Sequence, residues 1–168
     1  MKKKILFIVP PCVSLAHILP HAQGVFSGKI CKEVPLGILS LAAYIRKYCQ
    51  IDIKIIDYNV ILYDLVMQEK FENVNAITEE LWRHIDELLE DYDFAGIAAI
   101  AAIFSPAYEY IDIISEMLHR KFPQILITVG GGVPTNMAIE VFNDAPYVDY
   151  IIHGEGEIPV LGLIQADA

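Results

Sequence analysis

The chain has 168 residues, 55% hydrophobic and 20% charged, with 12 Lys and Arg against 22 Asp and Glu for a formal net charge of -10. That balance excludes a disordered chain, a collagen-like repeat and a disulfide-stapled miniprotein, and it suits a parallel sheet covered on both faces. A surface of this sign repels phosphate backbones, so nucleic acid is not an expected partner.

At the amino terminus Lys2, Lys3 and Lys4 precede an apolar run over residues 5–9. The run is too short for a signal peptide, and Pro10-Pro11 ends it without a small-residue cleavage site. No apolar stretch is long enough to span a bilayer, so no membrane partner is expected. Cys12, Cys31 and Cys49 are odd in number and widely spaced, which points to reduced thiols and a cytoplasmic location.

Short β-branched runs predict strands over 5–9, 51–56, 94–100, 125–129 and 148–152. Helical spacing predicts helices over 36–48, 77–89, 107–122, 135–142 and 158–164. Ser105-Pro106 reads as an N-cap followed by a first-turn proline, and Pro35 and Pro134 mark two further helix starts. In the helix over 77–89, Ile77, Leu81, Ile85, Leu88 and Leu89 form one apolar stripe, and the acidic residues opposite read as a solvated face. Strands alternating with helices make a parallel sheet with right-handed crossovers. The expected architecture is a Rossmann-like, flavodoxin-type α/β fold with five parallel strands and helices on both faces, forming a single domain over residues 1–168.

In open parallel sheets, ligands bind outside the carboxyl ends of the strands. The informative residues are therefore Pro10-Pro11-Cys12-Val13, Asp57-Tyr58-Asn59, residues 101–105 with Ile103 and Ser105, Gly130-Gly131-Gly132-Val133, and residues 153–157 with Gly154-Glu155-Gly156-Glu157. Three consecutive glycines strip every Cβ from a strand-to-helix corner, which serves either a tight, closely packed turn or the approach of a ligand to bare peptide. Glu157 belongs in the first turn of the following helix, where the dipole favours it, leaving Glu155 free to accept hydrogen bonds. That loop carries no positive charge and is not expected to bind phosphate. The loop over residues 10–34 is unusually long for a strand-to-helix connection, as ligand-closing loops are. Its Gly24 to Lys29 segment lacks the spacing and hydroxyl of a P-loop, and Cys12, His17, His21 and Cys31 match no compact zinc pattern, so no metal site is assigned.

Pro35-Leu36-Gly37-Ile38-Leu39-Ser40-Leu41-Ala42-Ala43-Tyr44, the strand ending Ile56-Asp57, Gly130-Gly131-Gly132 followed by Val133-Pro134-Thr135, and Val148-Asp149-Tyr150-Ile151-Ile152-His153-Gly154-Glu155-Gly156-Glu157 together carry a resemblance. They resemble the N-terminal cobalamin (B12)-binding domain of radical S-adenosylmethionine (SAM) enzymes, a group that includes the anaerobic magnesium-protoporphyrin monomethyl ester cyclases and cobalamin-dependent methylases. The resemblance runs in order over nearly the whole chain. It implies a corrin seated above the strand ends, touching Pro11, Cys12, Val13, Tyr58, Asn59, Ile103, Ser105, Gly130, Gly131, Gly132, Val133, Gly154, Glu155 and Gly156. The nucleotide tail would pass beside the three glycines, and Tyr108 is a further hydrogen-bonding candidate.

Two departures from related families sharpen this expectation. The Asp-x-His-x-x-Gly run that places a histidine on cobalt in methionine synthase and the mutases is absent, which implies cobalamin with its own base detached and no protein imidazole ligand. The three-cysteine motif for a [4Fe–4S] cluster is also absent. Cluster and SAM are therefore expected only on a radical SAM catalytic domain, joined in cis in a longer enzyme or met in trans. The sequence ends eleven residues after Glu157, and alone it is not expected to catalyse. The competing readings are a flavin- or nucleotide-binding flavodoxin-like domain, which would want a hydroxyl-rich phosphate loop after the first strand, and a degenerate interaction module that binds no cofactor. A phosphoacceptor signalling domain is set aside, because the first and third strands end without carboxylates.

Overall fold

The computed structural model of the chain describes residues 4–14, 30, 33–67, 74–90 and 96–166. Its strands are β1 (Lys4–Val9), β2 (Asp52–Asp57), β3 (Gly96–Ala101), β4 (Leu126–Gly130) and β5 (Tyr150–Ile152). They lie parallel in the order β2-β1-β3-β4-β5. This is the flavodoxin-type winding, with the direction reversing between β1 and β3.

The helices are α1 (Leu36–Tyr48), α2 (Tyr58–Met67), α3 (Val74–Leu88), α4 (Tyr108–Lys121), α5 (Gly132–Asn136), α6 (Ala138–Asp144) and α7 (Glu157–Ala166). Side chains alternate between sheet faces along each strand. Leu6, Ile8, Ala98, Ile100, Ile127 and Val129 pack against residues of α2 to α6. Ile5, Phe7, Ile97, Ala99 and Ile152 face the opposite way, toward Ile38, Ala42 and Ile45 of α1 and Val160 and Ile164 of α7.

Several expected boundaries shift. Residues 58–67 form a helix directly after β2 rather than a strand-end loop, and they bury Tyr58, Leu62, Leu65 and Val66 at helical spacing. Ser105 does not cap a helix: Phe104 holds the cap position, and Ser105–Ala107 is a 3-10 turn leading into α4. Pro35 is itself the cap residue of α1. Pro134 lies inside α5, and the single helix expected over 135–142 is two short ones meeting at Met137. Leu88, expected on the buried stripe of α3, is 45% exposed, while Leu89 in the following turn takes the core position. β5 is shorter than its apolar run because Asp149 closes the ladder. Its carboxylate accepts from the Ile127 N–H at 2.8 Å, and its own N–H donates to the Ile127 carbonyl at 2.8 Å.

Candidate functional site

A cleft of about 570 Å³ opens at the carboxyl end of the strands, between α1 and α7. Its floor is the sheet face at Phe7, Ala99, Ala101, Thr128, Gly130 and Ile152; Ile38, Leu41 and Val160 form its helical walls. Register creates the hollow. Ala99 pairs with Thr128 and Ala101 with Gly130, so the carboxyl halves of β3 and β4 present three small side chains and a bare glycine side by side. Deeper along the same face, Ile5, Ile97 and Leu126 are large and close the cleft from below. Small residues within otherwise branched strands leave volume that no neighbouring side chain fills.

The rim is mostly backbone. Gly130, Gly131, Gly132, Gly154 and Gly156 all line the cleft. Gly131 has φ +108°, and a Cβ there would lie 2.7 Å from the Ala102 carbonyl oxygen. Only glycine fits that conformation and that approach. The same turn is laced to the end of β3: Ala102 N–H donates to Gly130 O at 2.8 Å, and Val133 N–H donates to Ala102 O at 3.0 Å. Gly131 thus serves close packing, whereas Gly154, with φ +74°, would meet nothing within 4 Å and turns freely at the rim. Its N–H donates to Thr135 Oγ1 at 3.2 Å, tying the two glycine loops together.

Among the described residues, Glu155 and Glu157 are the charged members of the lining, with no Lys or Arg. Glu157 starts α7, beside its unpaired N–H groups. Among nearby apolar side chains, Ile103 lines the cleft and Phe104, Val34 and Leu36 line a smaller pocket beside it, and all four are at least half exposed. Thr128 is the opposite case. It is 1% exposed, and its Oγ1 has no hydrogen-bond partner.

A smaller pocket of about 150 Å³ adjoins the cleft, sharing Gly37, Ile38, Ala101 and Ile103 with it, and holds Pro11, Cys12 and Asn59. Asn59 is committed within the protein: its amide donates to Pro10 O at 3.0 Å and to Asp57 Oδ1 at 3.0 Å, and it accepts from Cys12 N–H at 2.7 Å. Val13 offers its carbonyl to the Tyr110 hydroxyl at 2.6 Å, and Ser14 donates to Glu109 at 2.8 Å. The root of the long loop is therefore pinned to α2 and α4.

The structure brings Ile103, Gly130, Gly131, Gly132, Gly154, Glu155 and Gly156 to one cleft, with Pro11, Cys12 and Asn59 next door. It does not bring the others there. Tyr58 is fully buried in the opposite face, edge-on to Trp82 at 6.0 Å, where burial holds its phenol well above the ordinary range. Val133 is buried in that same core, and Ser105 is exposed on its 3-10 turn. Tyr108 donates to Asp144 on α6, away from the cleft. His17, His21 and Cys31 lie outside the described residues. Among the described residues no group of three or more His, Cys, Asp and Glu is placed to hold a metal, and no helix is long and apolar enough to cross a membrane.

The sequence reading missed Ala99, Thr128, Thr135, Ile38, Leu41 and Val160 as lining residues, while Ala101 falls within the strand-end stretch it singled out.

A family model described as B12 binding domain matches residues 32–164. That span contains every lining residue of the cleft except Phe7. Comparisons with curated proteins and with solved structures gave no match.

Proposed function

The chain belongs to the B12-binding domain family, and from that premise we propose that it binds cobalamin with the lower base detached and presents the corrin to a radical SAM catalytic domain, in cis or in trans. The observation that carries the reading is the cleft itself, whose small-residue floor, glycine rim and partnerless buried hydroxyl leave space and a hydrogen-bonding group unused by the protein. A flat, amide-fringed macrocycle suits the ledge of Ile103, Phe104, Val34 and Leu36, with peptide groups of the two glycine loops meeting its fringe. The nucleotide tail would occupy the cleft beside Gly130, Gly131 and Gly132, walled by Leu41 and Val160. Bound there, the corrin supplies a cobalt centre able to carry a methyl group or an electron. The chain's own residues orient the macrocycle and shield its tail from water. With two acids and no Lys or Arg among its described residues, the lining gives little support to a flavin phosphate or nucleotide. The absent Asp-x-His-x-x-Gly run supports a cobalt without a protein imidazole.

Mixing purified protein with hydroxocobalamin and filtering should retain a coloured complex, and reduction to cob(II)alamin should give an EPR spectrum without nitrogen superhyperfine splitting. Failure to retain corrin would refute binding. Nitrogen splitting would refute the base-detached, imidazole-free state.

A further inference from the structure

A helix that covers a sheet ordinarily turns polar residues outward. α3 exposes Glu79, Arg83, Asp86 and Glu87, and α4 exposes Asp112 and Arg120. α7 departs from this rule. It buries Val160 and Ile164 against the sheet, yet its exposed positions are Ile158 at 76%, Pro159, Gly162, Gln165 and Ala166, with Gln165 the one polar residue among them. Ile158, Gly162 and Ala166 lie one turn apart and share an outward stripe. At its middle, a Cβ on Gly162 would meet nothing within 4 Å, so the fold itself has no need of glycine there. Glycine weakens an exposed helix relative to alanine, and its use is to let another backbone come close. The charges of the layer stand at opposite ends. α1 and α7 pack together on one sheet face and both begin at the cleft. α7 has Glu157 in its first turn and no Lys or Arg, whereas α1 has Arg46 and Lys47 in its last turn and no acid.

We propose that this layer docks a second copy of the same chain, the two α7 helices crossing antiparallel at Gly162 about a two-fold axis. Such a contact sets Ile158 of one protomer against Ala166 of its partner, with glycine on both sides of the crossing. It also brings the acidic end of each layer toward the basic end of the other, which a parallel crossing would not. In a chain of net charge -10, self-association is opposed except where acids meet bases, and this face meets that condition. Neither Ile158 nor Gly162 lines the cleft, so the docking is independent of cobalamin.

Sedimentation equilibrium of the purified chain without cofactor, over about 1–500 μM, should show a reversible monomer–dimer equilibrium. Gly162→Leu adds bulk into open space, so its melting temperature should not fall, yet the dimer should weaken at least about ten-fold. Ile158→Ser, at a position the monomer leaves exposed, should weaken it by about as much. Lys47→Glu should weaken the dimer about three-fold, and adding Glu157→Lys should restore the wild-type value. A chain that stays monomeric throughout would overturn the proposal and leave the face to a different partner. A dimer that Gly162→Leu leaves intact or tightens would overturn it as well, because apolar contact without a close crossing would then suffice. A charge exchange that restores nothing would overturn the antiparallel arrangement.

Discussion

The two faces of the sheet are built from the same strands by opposite rules. On the face covered by α2 to α6, β3 and β4 contribute Ala98, Ile100, Ile127 and Val129, and helix side chains fill the space over them. One residue along each strand, on the face under α1 and α7, stand Ala99, Ala101, Thr128 and Gly130, and a cleft remains. The difference teaches that a site can be made by subtraction. Both faces pack a core, and the second withholds side chains at its carboxyl end, where the cleft lies.

The comparison breaks most visibly at Ile127, which is fully buried on the filled face. Ile127→Ala should cost about 3–4 kcal/mol in denaturant unfolding through transfer and cavity terms, with any loss of corrin uptake explained by unfolding. Gly131→Ala comes next: a positive-φ backbone and a Cβ pressed on the Ala102 carbonyl should cost about 2–3 kcal/mol. A cost below about 0.5 kcal/mol would show that the turn relaxes. Ala101→Leu sharpens the contrast from the other side. It adds bulk into existing space, so stability should change by less than about 1 kcal/mol while cobalamin affinity falls at least about ten-fold. A stable variant with undiminished affinity would place the ligand elsewhere.

The smallest effect lies outside both cores, at partly buried Tyr108. Its hydrogen bond to Asp144, with lesser contributions from burial and the Asp144 and Glu140 charges, raises the phenol from its ordinary 10.0 to about 12. A group whose folded pKa is raised stabilises the fold fully below its unfolded value and loses that contribution as pH rises through the folded one. Tyr108→Phe should therefore lower stability slightly at neutral pH and reduce the fall between about pH 10 and 12 by the same small amount.

The sheet and most helices were legible in the sequence because strands covered on both faces read as near-continuous apolar runs separated by helical spacing. The α1 boundaries follow directly from Pro35 and the stripe of Ile38, Ala42 and Ile45. α2 was not legible: Tyr58–Met67 is apolar almost throughout, so neither periodicity stands out, and only burial of Tyr58, Leu62 and Leu65 on the sheet reveals the helix. The glycine loops at the cleft rim announced themselves by composition. Its floor did not, because Ala99 meets Thr128 and Ala101 meets Gly130 only once the β3–β4 register is known. Asn59 shows the converse. A polar residue at a strand end looks available to a ligand, yet its amide is spent fastening the loop after β1.

The most direct measurement is a crystal structure of the chain with cobalamin bound. The account predicts a nucleotide tail lying over Ala99, Ala101, Thr128 and Gly130, between α1 and α7, with the corrin against Ile103 and Phe104. A corrin bound with its base still on cobalt and the cleft left empty would contradict it.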